Sequence, residues 1–238
     1  MDKENNSIYK GLESIKFMNA DVSEQLYEMR DQHFESFTDL LKVFPGNTKQ
    51  RDILIKLDYF EEFGPSGTLL RIAKLYDLYA GKKIIKKDKL NGIPVELLEK
   101  YSTQTEKQYR LTDPDAFLSE LCAMVPAVEL PIQTRINAQQ EYLGYISLTI
   151  PEKKNSGYVM KIDAKYSPKI TLYRLDTGVT EVYKVQKKMY ERNPFSEGSV
   201  IKFTFEPRQK SRKDENGNWV KLNEYENWIS NYIANFDI

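Results

Sequence analysis

"YVMKIDAKYSPKITLYRLDTGVTEVYKV", residues 158–185, marks a change of period in the chain. Apolar and polar positions alternate through 158–166, 169–175 and 179–185, the two-residue repeat of a half-buried strand. "LDTG" at 175–178 separates the second run from the third and signals a hairpin. Two further runs follow, "SVIKFTFEP" at 199–207 after "NPFSEG", and "WVKLNEY" at 219–225 after the Asn216-Gly217 turn. Five short strands within about 80 residues, with the longest connection between the third and fourth, predict a small Greek-key barrel of the OB-fold type. A sandwich fragment would use the same strands less economically. Alternation sets Tyr158 and Met160 on the face opposite Val159 and Lys161.

Upstream of Pro151 the repeat is helical. Val22, Leu26 and Met29 form one stripe, and Phe37, Leu40, Leu41 and Phe44 form a second behind a Ser36 cap. Ile53, Leu54 and Leu57 line a third helix after the loop "PGNT". Ser66 is placed to cap a long helix that Gly81 ends, and shorter helices are expected at 94–101, 114–125 and 132–145. The N-terminal part is therefore predicted to be all α.

Composition narrows the chemistry. A single cysteine, Cys122, permits no internal disulfide, and one histidine, His33, leaves little for histidine-based catalysis or metal binding. No apolar run reaches the roughly 18 residues of a membrane span, and the polar start "MDKENNS" lacks a leader pattern, so a cytoplasmic protein without a membrane partner is expected. Net charge is zero, but residues 1–150 stand at −4 and residues 151–238 at +4, which makes the C-terminal part the better polyanion partner. "TDPDAF" brings two carboxylates together, yet a residue before Pro114 is better read as a helix cap than as a metal ligand. No catalytic residue, metal or cofactor is expected.

Two segments have the frame of a helix-hairpin-helix, in which a tight loop aims backbone N–H groups at a phosphate. In the first, "IKFMNADV", Asn19 stands where glycine is expected and tolerates a left-handed conformation, but Phe17 is bulky and Asp21 is negative. By itself this loop reads as a structural remnant. The second, "FPGNTKQRDILIKL", offers Gly46 in the loop, Asn47 or Thr48 as cap, and Lys49 and Arg51 in the first turn. Cations at a helix N-terminus oppose its dipole, so either an anion docks there or both are simply solvated.

The segments "IYKGLESIKFMN", "SEQLYEMRD", "FESFTDLLKVF" and "NTKQRDILIKLDYFEEFG", spanning residues 8–64, carry a resemblance. In order and spacing they resemble the tandem helix-hairpin-helix region of bacterial C-family replicative DNA polymerases, the polymerase III alpha subunit. That pattern runs Ile-Lys-Gly-Val-Gly, Phe-x-Ser, Asn-Lys-Arg, then Leu-Ile-Lys-x-Gly-x-Phe-Asp. "AQQEYLGYIS" at 138–147 resembles the element before that family's OB domain, and "KYSPKITLYRLDTG" with "RKDENGNWVKLNEYENWI" is similar to forms of the domain itself. Departures are Phe17 and Asn19 at the two loop glycines, Asp58 at the later glycine, and "LTIP" for Ser-Gly-His-Pro. No segment matches the family's catalytic regions. The resemblance implies an α+β multidomain protein: residues 1–65 tandem helix-hairpin-helix, 66–150 a helical connecting region, and 151–238 an OB-fold barrel. It further implies a non-catalytic module that holds duplex DNA in the hairpins and single-stranded template on the barrel.

On the barrel, cations would meet phosphates and aromatic rings would stack bases. Tyr158, Tyr166, Tyr173, Tyr183 and Phe203 are the candidate rings, while Lys161, Lys165, Lys169, Arg174, Lys184, Lys187 and Lys188 are candidate cations. Arg208, Lys210, Arg212 and Lys213 concentrate charge in a predicted loop before the last strand. Trp219 and Trp228 are expected to pack in the core. A competing reading is a module for a replication partner such as the sliding clamp. "QYRLT" at 108–112 has the Gln and Leu of a clamp-binding peptide but no following aromatic.

Overall fold

The structure, a computed structural model, describes residues 11–90 and 92–234. Ile8 to Lys10, which open the resemblance, lie outside the described residues. The chain is α+β and divides into two compact units, Met1–Leu130 and Pro131–Ile238.

The first unit begins with α1 (Ala20–Glu28), α2 (Phe37–Val43) and α3 (Thr48–Lys56), followed by the longer α4 (Ser66–Tyr79). Each short helix starts where a side chain can satisfy its orphan N–H groups. Asn19 accepts from Val22 N, Ser36 from Asp39 N, and Asn47 from Gln50 N. Most of the expected stripes are buried: Val22 and Leu26 on α1, Phe37, Leu40 and Leu41 on α2, and Ile53 and Leu54 on α3, while Met29, Phe44 and Leu57 are half-buried and Ile55, outside the expected stripe, is fully buried. Ser66 is not a cap. Pro65 occupies that position, and the Ser66 hydroxyl instead donates to Glu129 at 3.2 Å.

The N-terminal part is not all α. Three short strands, β1 (Ile84–Lys86), β2 (Ser102–Gln104) and β3 (Gln108–Leu111), form an antiparallel sheet with β3 in the middle. Strands of three or four residues are too short to show alternation, and "KKIIKKDK" and "QYRL" hide theirs among charges. This sheet and the helices α5 (Val95–Tyr101) and α6 (Pro114–Ala123) enclose a second core around Leu98, Phe117 and Leu121. Asp113 caps α6 through Ala116 N at 3.0 Å, as the residue before Pro114 should.

The second unit opens with α7 (Ile132–Tyr142) and continues into β4 (Ser156–Asp163), β5 (Lys169–Arg174) and β6 (Thr180–Val185). A short α8 (Lys187–Arg192) precedes β7 (Val200–Lys213) and β8 (Trp219–Ala234). Hydrogen bonding closes the five strands into a barrel in the order β4-β5-β6-β8-β7. All pairs are antiparallel except β6 with β8. Val159, Ile170, Leu172, Tyr183, Ile201, Phe203 and Ile229 fill the interior. Tyr158, Tyr173 and Val200 lie in a separate cluster with Ile132 and Ile136 of α7 and with Leu148. Tyr158 and Val159 thus face opposite ways, as alternation requires. A register shift between Val159 and Lys161 breaks the repeat there, leaving both Met160 and Lys161 exposed.

The predicted cationic loop is strand. β7 runs on through Arg208 to Lys213, and β8 starts at Trp219, so the two form a long ribbon turning over Asp214–Asn218. Pro207 is tolerated because this stretch of β7 pairs with β8 alone, as an edge strand does.

Candidate nucleic-acid interface

A shallow groove on the second unit is lined by Lys169, Val182, Lys184, Lys210, Tyr225 and Glu226. Strand pairing makes the groove. Lys169 and Lys184 are direct cross-strand partners on β5 and β6, and the β7–β8 ribbon supplies Lys210 and Tyr225. Three lysines face one carboxylate, and the Tyr225 ring is 64% exposed. Lys184 meets Glu226 at 2.7 Å and Lys210 meets Glu224 at 2.7 Å, whereas Lys169 has no ion-pair partner among the described residues. Burial pushes the Glu226 carboxyl up, but hydrogen bonds from Lys184 and Trp228 outweigh it and hold the group below its ordinary range. A cationic trough with an exposed ring has the elements that grip a single strand.

Several expected contacts are engaged elsewhere. Tyr173 is 4% exposed and donates to the Leu148 carbonyl at 3.1 Å, so it braces the barrel and offers no ring. Tyr158, Tyr183 and Phe203 are buried as well, leaving Tyr166 as the exposed member of the expected set. Arg174 donates twice to Asp176, at 2.9 and 2.6 Å, which holds that carboxyl below its usual range. Its guanidinium is spent on this pair. Arg208 pairs with Glu206 at 2.6 Å and lies 4.9 Å from the Trp228 ring centroid. Lys161 and Arg212 remain exposed, and Lys213 lies 5.8 Å from the Trp219 ring. Trp219 is not a core residue. It is 70% exposed near the ribbon's turn, while Trp228 is half-buried with its N–H bonded to Glu226. Trp219 and Tyr225 are exposed rings outside the expected set. Their signal was the edge-strand ribbon, whose residues have no second neighbour to bury them.

In the first unit the two hairpin loops meet. The 3-10 turn Leu12–Ser14 leads into Ile15 and Met18, both buried, with Phe17 between them at φ 74°. Asn19 is extended at φ −117°, so the left-handed residue of this loop is Phe17 and Asn19 is the cap. Asp21 stands in the first turn of α1. A carboxylate there already uses the favourable end of the helix dipole.

At α3 Asn47 is the cap and Thr48 the first helical residue, and Gln50 completes a capping box through Asn47 N at 3.0 Å. Gln50 also reaches across to donate to the Phe17 carbonyl at 3.1 Å. A Cβ at Gly46 would sit 2.8 Å from the Phe44 ring and 3.1 Å from the Gln50 amide oxygen, so these side chains would have to shift. Lys49 is exposed, its Nζ 3.3 Å from the Phe17 ring centroid. Arg51 contradicts expectation. It is 5% exposed and grips Asp77 of α4 at 2.7 and 2.8 Å and Asp52 at 3.0 Å. One turn into the helix its side chain points inward, where a carboxylate from another helix neutralises it.

Residues 1–69 match the family model of the helix-hairpin-helix motif. No curated protein and no solved structure matches the chain. The matched segment covers both loops just described. Asp58 takes φ 59° and ends α3 in a Schellman arrangement, Tyr59 N bonding Leu54 O at 3.0 Å and Asp58 N bonding Ile55 O at 3.0 Å. Phe17 and Asp58 thus keep a glycine-like backbone without glycine. Among the segment's described cations Lys16, Arg30, Lys42 and Lys49 are exposed; Arg30 pairs with Asp31 and Lys42 with Asp39, while Lys16 and Lys49 approach Phe17.

"QYRLT" forms the middle strand β3, hydrogen-bonded on both sides. Its backbone is thereby unavailable as a docking peptide in this structure. Among the described residues no helix is long and apolar enough to cross a membrane.

Proposed function

We propose that this chain is a non-catalytic DNA-binding module, the helix-hairpin-helix and OB-fold part of a DNA polymerase III alpha-like protein. In this reading residues 1–65 hold duplex, 66–150 connect, and 151–238 are an OB-fold that holds single-stranded template. The helix-hairpin-helix match supports nucleic-acid binding by the first segment. Support for an OB-fold comes from the closed strand order with its parallel β6–β8 pair and a helix between the third and fourth strands. The groove carries the reading: Lys169, Lys184 and Lys210 converge beside the exposed Tyr225 ring, which suits phosphates with a stacked base. Lys161, Arg212, Lys213 and Trp219 are further exposed cations and a ring of the same unit.

Fluorescence anisotropy of labelled oligothymidylate across a salt series tests it. Three phosphate contacts give a log–log slope of about −2. Changing Lys169, Lys184 and Lys210 to Gln flattens the slope, and Tyr225→Ala weakens binding about tenfold at every salt concentration, the size of one stacked base. Binding that is absent at low salt, or untouched by these variants, would remove the barrel from the reading.

A further inference from the structure

We propose that the three-stranded sheet of the first unit is a further DNA surface, with Lys86, Lys87, Lys107 and Arg110 set on the phosphates of a duplex. The inference rests on the DNA-binding reading and gives the connecting region, residues 66–150, a contact of its own.

The charge is concentrated against the local balance. Residues 82–89 and 106–110 carry seven Lys or Arg against Asp88 and Glu106, within a stretch, 1–150, whose net charge is −4. The two segments are separated in the chain by α5 and β2, and strand pairing joins them. Ile84 lies opposite Arg110 and Lys86 opposite Gln108. Because Ile85 turns inward at 3% exposure, Ile84 and Lys86 share the outer face of the sheet with Arg110. Lys87 N donates to the Lys107 carbonyl at 3.1 Å, which carries the same register one step further and sets two lysines directly opposite each other. Like charges so placed oppose strand pairing.

The fold does not neutralise this charge. Other lysines of the unit meet carboxylates, as Lys42 meets Asp39 and Lys100 meets Glu120. Asp88 and Glu106 line one shallow groove with Lys86, Lys87 and Lys107, yet neither these lysines nor Arg110 has an ion-pair partner among the described residues. Lys87 Nζ lies 5.6 Å from the Tyr109 ring centroid, a contact that attracts the ammonium but cancels none of its charge.

The chemistry of the face selects the ligand. Tyr109 is half-buried and the exposed large apolar side chain of the sheet is Ile84, so bases find no platform and phosphates must carry the contact. A duplex presents a phosphate about every 1.7 Å along its axis, about twice the density of a single strand. Clustered cations without rings therefore suit the duplex backbone.

The test is fluorescence anisotropy of a labelled blunt duplex with the full chain across a salt series. The triple variant Lys86→Gln, Lys87→Gln and Lys107→Gln should lower the log–log slope by about 3, and should leave oligothymidylate binding within about twofold of wild type. Glu106→Gln removes a repelling carboxylate and should tighten duplex binding about threefold. With the Lys87–Lys107 repulsion relieved, the triple variant should unfold in urea at or above the wild-type midpoint, so its lost binding is not lost fold. A wild-type duplex slope in the triple variant, with Glu106→Gln also unchanged, overturns this surface and leaves the DNA-binding reading standing. If the wild type binds oligothymidylate but no duplex at low salt, this surface and the duplex role fall together while the barrel reading stands. Binding to vesicles of phosphatidylserine and phosphatidylcholine but not to duplex would give the patch to a membrane and also overturn the proposal.

Discussion

The side-chain amide of Gln50 donates to the carbonyl of Phe17, 33 positions away in the chain, at 3.1 Å. The same amide's oxygen accepts from Asn47 N at 3.0 Å, so one 6%-exposed side chain ties the start of α3 to the strained turn of the first hairpin. Gln50→Ala removes the capping box and strands a carbonyl, and should destabilise the first unit by about 2–3 kcal/mol. Gln50→Glu keeps the acceptor for Asn47 N but turns a carboxylate toward the Phe17 carbonyl, and should fall between. Urea unfolding followed by circular dichroism measures both. A Gln50→Ala midpoint equal to wild type would show that the link is idle.

Arg51 and Lys49 are two residues apart and should behave in opposite ways. Arg51→Ala leaves Asp77 without its guanidinium and should lower stability by about 2–3 kcal/mol, less than a fully buried pair because the Asp77 side chain is 40% exposed. Arg51→Lys should recover little, since an ammonium cannot bond both Asp77 oxygens in parallel. Neither should alter the salt slope of duplex binding. Lys49→Gln should leave stability nearly unchanged and reduce that slope by about 1. The paired measurement distinguishes a structural cation from a contacting one.

Asp58→Gly should stabilise the first unit by about 0.5–1 kcal/mol, because glycine takes the C-terminal left-handed position of α3 without a Cβ penalty. The rise is visible in a thermal melt. A fall would mean that the Asp58 carboxylate supports the fold by more than its backbone strain opposes it.

The second unit should be stable over a plateau with two limbs. Hydrogen bonds from Arg174 hold the folded Asp176 carboxyl below its unfolded value of about 3.9, so its contribution is complete above that pH and is lost as pH falls through the folded pKa. Glu226 acts in the same direction. Burial pushes the Tyr183 hydroxyl up to about 12, so its contribution is complete below about pH 10 and is lost as pH rises toward 12. Both tryptophans, Trp219 and Trp228, lie in this unit, so tryptophan fluorescence in urea follows it alone. Asp176→Asn should blunt the acid limb and Tyr183→Phe the alkaline one. An acid limb unchanged in Asp176→Asn would assign it to other carboxylates.

Much of this architecture was legible because its causes are local. The Ser36 and Asn47 caps, the Asp113-Pro114 helix start, the "LDTG" hairpin and the alternation of 169–175 each depend on residues within a few positions. The three-stranded sheet was not legible, since a strand of three residues has no period to detect. The ribbon is not legible either, because cations and Pro207 look like linker chemistry until β8 pairs with them.

Sequence alone determined the change from helical to alternating period near Pro151, the Ser36, Asn47 and Asp113 caps, and many of the buried apolar positions. Tertiary structure alone decided which charges and rings face a ligand. Arg51 meets Asp77 from 26 positions away and Lys184 meets Glu226 from 42, so no local window reveals which cations share a carboxylate and which, like Lys49 and Lys169, have no ion-pair partner among the described residues. Exposure follows the same rule: Tyr173 is buried in a cluster with α7 and Leu148, whereas Tyr225 stays exposed on the β7–β8 ribbon. Periodicity is a property of neighbours along the chain, but the fate of a charge depends on what folding brings within a few ångströms.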